Sequence, residues 1–271
     1  MTAAPQPAAS SGTGTGAQAL ERGLAILTAL ADGRRPLGLV ELADATGLSK
    51  STCHRYVASL VALRYLEQED GGRKYLLGPA AMHLGMAAVG TLDVARVGAR
   101  SAQALADETN HTVSLTVLDG ADIVYVDRRR PGRAGFRIEL NVQIGTRLPA
   151  YCTSMGKVLL AYRDPASVRA VLDRIDLARR GPRTITAREE LVAALAEIRR
   201  TGLALNDQEL TAGLRSVAVP VRDRHGNVCA ALGVAVHLSA WNATAEAVVA
   251  RLEGPLRHAA QEISRRMGHL E

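Results

Sequence analysis

Cysteine is scarce in this sequence, and lysine is equally so. The three cysteines, Cys53, Cys152 and Cys229, are scattered over 271 residues and make no CxxC pair. That argues against a disulfide framework and against a structural zinc site. No apolar run approaches the about 20 residues of a membrane-spanning helix, so an integral membrane protein is not expected. The first sixteen residues lack a basic start and an apolar core. They are not expected to be a secretory signal, which leaves the cytoplasm as the expected compartment. Too little apolar surface can be buried in 1–16 for it to fold, and it reads as a disordered tail.

Constellations for chemistry are missing too. The seven histidines are isolated from one another and from other metal-type ligands, so no metal is expected. Gly156-Lys157 resembles the end of a phosphate-binding loop, but Tyr151 stands at the first glycine position and Val158 follows the lysine. Cys152-Thr153-Ser154-Met155-Gly156 lacks the leading glycine of a nucleophile elbow. Cys152 has no obvious base and reads as a core thiol; His111 reads as a satisfied histidine. Neither an enzyme nor a cofactor is expected.

Charge is informative by position. The balance of 33 Lys+Arg against 27 Asp+Glu, net +6, permits a nucleic-acid partner without demanding one. Only Lys50, Lys74 and Lys157 among the basic residues are lysine, and alanine is abundant, a composition that fits a GC-rich genome. Between Asp44 and Glu67, however, no acidic residue occurs. A carboxylate there would repel phosphate. In that stretch a helix over 39–46 meets Gly47 as a corner, and Ser49 is a good N-cap for a third helix. Cys53, Tyr56, Val57, Leu60 and Leu63 form its expected apolar stripe, and its polar face carries Lys50, Ser51, His54, Arg55 and Ser59.

A first helix is expected over 18–30, with Leu20, Leu24, Leu27 and Leu30 on one face and Asp32-Gly33 as the turn that ends it. After the third helix, Asp70-Gly71-Gly72 between 65–69 and 73–77 reads as a hairpin. Two helices around a glycine corner and then a hairpin are a winged helix-turn-helix. Pro79 opens an Ala-rich helical stretch to about residue 107, broken near 90–93. Strands are expected at 111–118 and 121–127, then a basic loop of Arg128-Arg129-Arg130 and Arg133, read as solvated, and another strand at 136–140. Helices are expected at 154–162, at 165–173 with Asp164 as cap, and at 187–200 behind a Thr186-x-x-Glu189 capping box. Strands at 203–206, 216–221 and 228–237 and a helix at 242–267 complete an α+β chain with an antiparallel sheet.

Ala45-Thr46-Gly47-Leu48-Ser49-Lys50-Ser51-Thr52-Cys53-His54-Arg55 resembles the helix-turn-helix of the IclR family of bacterial transcriptional regulators. Val124-Tyr125-Val126-Asp127, the runs 145–149, 154–161 and 206–210, and Gly213-Leu214-Arg215-Ser216 with its continuation to Val221 extend the resemblance over 17–267. It is most similar to the protocatechuate and hydroxybenzoate regulators of the β-ketoadipate pathway. The resemblance implies a DNA-binding domain at 17–78, a linker helix at 79–95 that pairs subunits, and a GAF-like effector domain at 96–271. It also implies a homodimer or dimer of dimers on palindromic double-stranded operator DNA, controlled by a small-molecule effector.

Ser49, Lys50, Ser51, Thr52, His54 and Arg55, with Arg73 and Lys74 in the wing, are the expected DNA-binding residues. Carried over by position, effector contacts fall at Ser154, Met155, Asp207, Ser216, Gly233 and Ala235. The last two are serine in relatives that bind glyoxylate or pyruvate; Gly and Ala remove two donors and are expected to leave space. The aromatic regulators often carry Asn-Val-Ser in this strand, so Gly233-Val234-Ala235 departs from them as well. A flat aromatic acid such as a hydroxybenzoate is the expected effector, with its carboxylate at the start of the helix near Ser154. Two other readings are a small-molecule enzyme with a winged-helix appendage and a ligand-independent DNA binder. The first needs a nucleophile or metal constellation that residues 96–271 do not supply; the size of the second domain counts against the second.

Overall fold

The computed structural model describes residues 15–69, 72–90, 93–132, 142–239, 241 and 243–270. The chain divides into two compact units, Met1–Val89 and Gly90–Glu271.

In the first unit, α1 (Thr15–Gly33) precedes β1 (Leu37–Gly38), α2 (Leu39–Thr46) and α3 (Lys50–Ala62). β2 (Leu66–Gln68), β3 (Lys74–Leu77) and α4 (Pro79–Gly90) follow. Gly47 makes the corner between α2 and α3 with φ 66°. Ser49 caps α3, its Oγ accepting from Thr52 N, which satisfies one of the N–H groups a helix start leaves open. Ile26, Leu30, Leu42, Cys53, Val57 and Leu66 close the core.

Several expectations shift here. α1 starts at Thr15, inside the expected tail, and continues through Asp32-Gly33, where a turn was expected. Its buried face is Ile26 and Leu30, while Leu20 and Leu24 are 65% and 53% exposed. The 3.6-residue period fits either stripe, and the contacts with α2 and α3 select Ile26. Leu63 is 63% exposed because α3 ends at Ala62 and Leu63 is its C-cap. β1 was too short to detect; it pairs with β3 and makes the wing a three-stranded sheet, β1-β3-β2. Met1–Gly14, residues 70–71 of the expected hairpin and residues 91–92 of the helix break expected near 90–93 lie outside the described residues.

The second unit begins with α5 (Asp93–Thr109), β4 (Thr112–Asp119), β5 (Asp122–Arg129) and β6 (Arg147–Pro149). A single 3-10 turn, Ala150–Cys152, leads into α6 (Ser154–Ala161), α7 (Pro165–Leu172) and α8 (Arg188–Thr201). β7 (Ala204–Asp207), β8 (Leu214–Arg222), β9 (Val228–His237) and α9 (Ala245–Arg266) finish it. The strands form one antiparallel sheet in the order β6-β5-β4-β9-β8-β7. Asp164 caps α7 as expected, but α8 has Ala187 at its N-cap and no side-chain cap bond, so the Thr186 capping box does not form. Arg128 and Arg129, expected in a loop, end β5; Arg133, the expected strand at 136–140 and Asn242 lie outside the described residues.

The period of two sorts the sheet into unlike faces. Val113, Leu115, Val217, Val219, Leu232 and Val234 are buried on the face that α5 and α9 cover. The opposite face carries Ala204, Ser216, Ala218, Ala231, Gly233 and Ala235, small side chains that let α6 come close. α6 is buried all round. It rests on the 3-10 turn at Gly156, where a Cβ would stand 2.3 Å from both Cα and O of Ala150. Both of those are backbone atoms that cannot move aside. Gly156→Ala should therefore cost about 1–3 kcal/mol through overpacking, read as a lower denaturation midpoint; an unchanged midpoint would show that this approach is not tight.

Candidate functional site

The polar face of α3 is open. Lys50, Ser51, His54 and Arg55 are exposed, as are Arg73 and Lys74 in the wing. Thr52 is half-buried. Ser49 is exposed too, but its Oγ is engaged by Thr52 and Ser51, so it orders the helix start rather than offering a free hydroxyl. The Arg55 guanidinium lies over the Tyr56 ring, 5.6 Å from its centroid. The surface so formed holds cations at the helix start and in the wing, with no carboxylate on α3.

Between α6 and the small-residue face of the sheet lies a cavity. Ser154, Met155, Ser216, Gly233 and Ala235 line it, together with Thr112, Ser114, Tyr125, Arg128, Asn206 and a rim of Val142, Leu210 and Leu214. At one wall Ser154 Oγ and Ser216 Oγ share a buried 2.8 Å hydrogen bond. Thr153 caps α6 through Gly156 N, and Lys157 N bonds Thr153 O. The N–H groups of Ser154 and Met155 keep no partner among the described residues, which gives that end of the cavity free donors at the positive end of a helix dipole.

Two expected features are placed differently. Asp207 does not line the cavity. It stands opposite Arg215, one residue along from Asn206 and Ser216, so the strand alternation turns it to the other sheet face. There Arg215 Nε donates to it at 2.6 Å and Arg183 donates as well. Although burial opposes it, the bonds from Arg215 and Gln208 hold its carboxyl below the usual value. The space beside Gly233 is also not empty: a Cβ there would meet Met155 Cγ at 2.7 Å and Sδ at 2.9 Å. The missing side chain admits Met155, not open volume.

Tyr125, Arg128, Asn206, Thr112 and Ser114 were not foreseen. A signal existed for the last two: polar residues alternate with Val113 and Leu115 in a strand that is buried on both faces. Asn206 ties the wall together, donating from Nδ2 to Cys152 O and accepting at Oδ1 from Glu209 N. Lys157 runs behind it, 3% exposed, donating to Leu205 O at 2.8 Å and to the Glu209 carboxylate. Burial pushes the Glu209 carboxyl up, against the pull of Lys157. Cys152 is fully buried, and that burial pushes its thiol up to about 11, as a core thiol requires. His111 stacks on Trp241 with ring centroids 6.0 Å apart, a structural role. Among the described residues no cluster of His, Cys, Asp and Glu could hold a metal ion, and no helix is long and apolar enough to cross a membrane.

Comparison with known proteins decides the family. The IclR helix-turn-helix domain matches residues 19–70, and the bacterial transcriptional regulator IclR C-terminal domain matches residues 86–265. The chain belongs to the IclR family. It is similar to the Pca regulon regulatory protein of Pseudomonas putida, 36% identical over 219 residues that span 81% of this chain and 74% of that one. It is also similar to the Escherichia coli HTH-type transcriptional regulator KdgR, 34% identical over 90% of each chain. Among solved structures, an IclR homolog from Microbacterium hydrocarbonoxydans complexed with 4-hydroxybenzoate superposes with a TM-score of 0.78. That likeness carries 26% identity and covers 92% of this chain and 98% of that one. As an IclR regulator the chain is a DNA-binding transcription factor with an effector-binding C-terminal domain, not an enzyme.

The buried Lys157–Glu209 pair joins α6 to the segment after β7, behind the cavity wall of this IclR regulator. Removing one charge strands the other in the core. Lys157→Met should lower stability by about 3–5 kcal/mol, and Glu209→Gln added to it should restore part of that loss. Denaturant unfolding of both variants measures this; a neutral single variant would show that the pair contributes nothing.

Proposed function

We propose that this protein is an aromatic-acid-responsive regulator acting in the cytoplasm as a homodimer or dimer of dimers on a palindromic operator. The observation that carries the reading is the cavity itself. Its rim is apolar and its α6 end has two free N–H groups beside paired serines. A flat ring buries its faces against Leu210, Leu214, Val142 and Met155, gaining about 25 cal/mol for each Å² removed from water. Its carboxylate meets the N–H groups of Ser154 and Met155. A two-carbon or three-carbon oxo acid has no comparable apolar area to bury, and Gly233 and Ala235 present it no hydroxyl. The 4-hydroxybenzoate bound by the Microbacterium homolog and the name of the Pseudomonas putida relative support the same ligand class.

For DNA, Arg55 and His54 reach base edges in the major groove, where an arginine can pair two acceptors of guanine. Lys50, Ser51, Thr52, Arg73 and Lys74 hold the backbone and set the register, with Ser49 capping the helix that carries them. Leu20 and Leu24 on α1 and Met82, Leu84 and Met86 on α4 are exposed apolar side chains. They are surface for a second copy to cover, in keeping with paired half-sites about 34 Å apart.

Operator titration by fluorescence anisotropy at fixed salt tests the reading. Arg55→Ala should weaken binding to the operator by about 1–3 kcal/mol, whereas Arg73→Ala should weaken all duplexes alike and flatten the salt dependence. Operator affinity should respond to 4-hydroxybenzoate at lower concentration than to pyruvate or glyoxylate. A response to pyruvate alone would overturn the ligand class, and unchanged affinity in a folded Arg55→Ala protein would remove Arg55 from the reading set.

A further inference from the structure

The cavity has a second polar end. Reading across the sheet, Arg128 on β5 stands opposite Ser114 on β4, and Ser114 opposite Gly233 on β9. One pleat further along, Ala235 on β9 stands opposite Ser216 on β8, and Ser216 opposite Asn206 on β7. Strands lie about 4.8 Å apart, so three steps put the β5 side chains and Ser216 roughly 14 Å apart at the backbone. Between them the floor is Gly233 and Ala235, too small to divide the space except where Met155 leans in. A ligand lying on that floor therefore faces two walls. One is Ser154, Ser216 and Asn206; the other is Tyr125, Arg128 and Ser114.

Two hydroxyls of the β5 wall open onto the cavity without a protein partner among the described residues. Tyr125 is 7% exposed and lines the cavity. Neither its hydroxyl nor that of Ser114 finds a hydrogen-bond partner among the described residues. Thr116, directly across from Tyr125, is fully buried and its Oγ1 also has none. Arg128 donates from one Nη to Val142 O, which fixes the guanidinium at the cavity edge. Burial pushes the Tyr125 phenol up to about 12, against the neighbouring Arg128, so it stays a protonated donor. A hydroxyl that opens on the cavity without a protein partner is free to bond a ligand oxygen placed there.

Taking the cavity as the effector site, we infer that Tyr125, with Arg128 and Ser114, forms a second anchoring end, and that the effector is an acid bearing oxygen at both ends of an apolar body. The carboxylate occupies the α6 end. The Tyr125 hydroxyl donates to the far oxygen, with the Arg128 charge behind it. An acid with a bare apolar end would press hydrocarbon against the Tyr125 and Ser114 hydroxyls and leave them unpaired, which is how a polar pocket rejects a ligand lacking a hydroxyl. A para-hydroxylated aromatic acid and a linear dicarboxylate share the required chemistry.

Isothermal titration of the full-length protein separates the possibilities, with 4-hydroxybenzoate against benzoate and adipate against hexanoate. In at least one pair the two-ended acid should bind about tenfold tighter or more than its one-ended partner. Whichever pair shows the larger gap names the body of the ligand. Tyr125→Phe, which keeps the ring in the core, should remove most of that gap, by weakening the two-ended acid and by removing the hydroxyl that its one-ended partner leaves unpaired. Arg128→Gln should weaken the two-ended acid as well. The inference is overturned if both one-ended acids bind as tightly as their partners, or if Tyr125→Phe leaves the gap intact. Should the wild-type protein bind none of the four, the effector reading of the cavity falls first, and this inference with it.

Discussion

The close approach of α6 to the sheet is the constraint on which the effector domain depends. Gly156 lets the helix rest on the backbone of Ala150, and a row of Ala and Gly on the facing strands gives it room. Larger residues at those places would lift α6 and break the wall that Ser154, Ser216 and Asn206 build together. A donor that points into the space beneath the helix is unfavourable unless the protein, water or a ligand meets it. The Lys157–Glu209 pair extends this logic one layer back. It holds α6 to the segment after β7, and Asn206 bonds the chain on both sides of it.

The division of labour between the two units follows from their surfaces. α3 presents cations and short hydroxyls to the outside with no carboxylate among them, and the wing adds Arg73 and Lys74, a surface suited to phosphate and base edges. The sheet unit turns hydroxyls, an amide and a guanidinium toward the cavity beneath α6. Recognition, of DNA by the first unit and of an effector by the second, is the chemistry that membership of the IclR family gives the two units.

Much of this was legible in the sequence because it is local. Ser49 as a cap, Gly47 as a corner, the acid-free run to Glu67 and the Asp164 cap each follow from a few neighbouring residues. The cavity residues Ser154, Met155, Ser216, Gly233 and Ala235 came from matched motifs, and the sheet brings them together. What failed depended on side-chain direction or on distant contacts. Asp207 belongs to the same motif as Asn206, but one step along a strand reverses its face, and Arg215 and Arg183 claim it. Gly233 promised space until α6, far away in the chain, supplied Met155 to fill it. Arg128 looked like part of a solvated basic run, whereas β5 carries on through Arg129 and turns Arg128 to the cavity. In α1 the periodicity allowed two stripes, and packing against α2 and α3 chose Ile26 over Leu20 and Leu24.

The central claim is that the cavity between α6 and the small-residue face of the sheet is the effector site. Hydrogen–deuterium exchange on the full-length protein, with and without saturating 4-hydroxybenzoate, tests it most directly. The account predicts added protection in the peptides that cover residues 150–160, 204–216 and 228–237, where the donors and the walls of the cavity lie. Protection confined to other segments, with these three unchanged while the ligand is demonstrably bound, would contradict it.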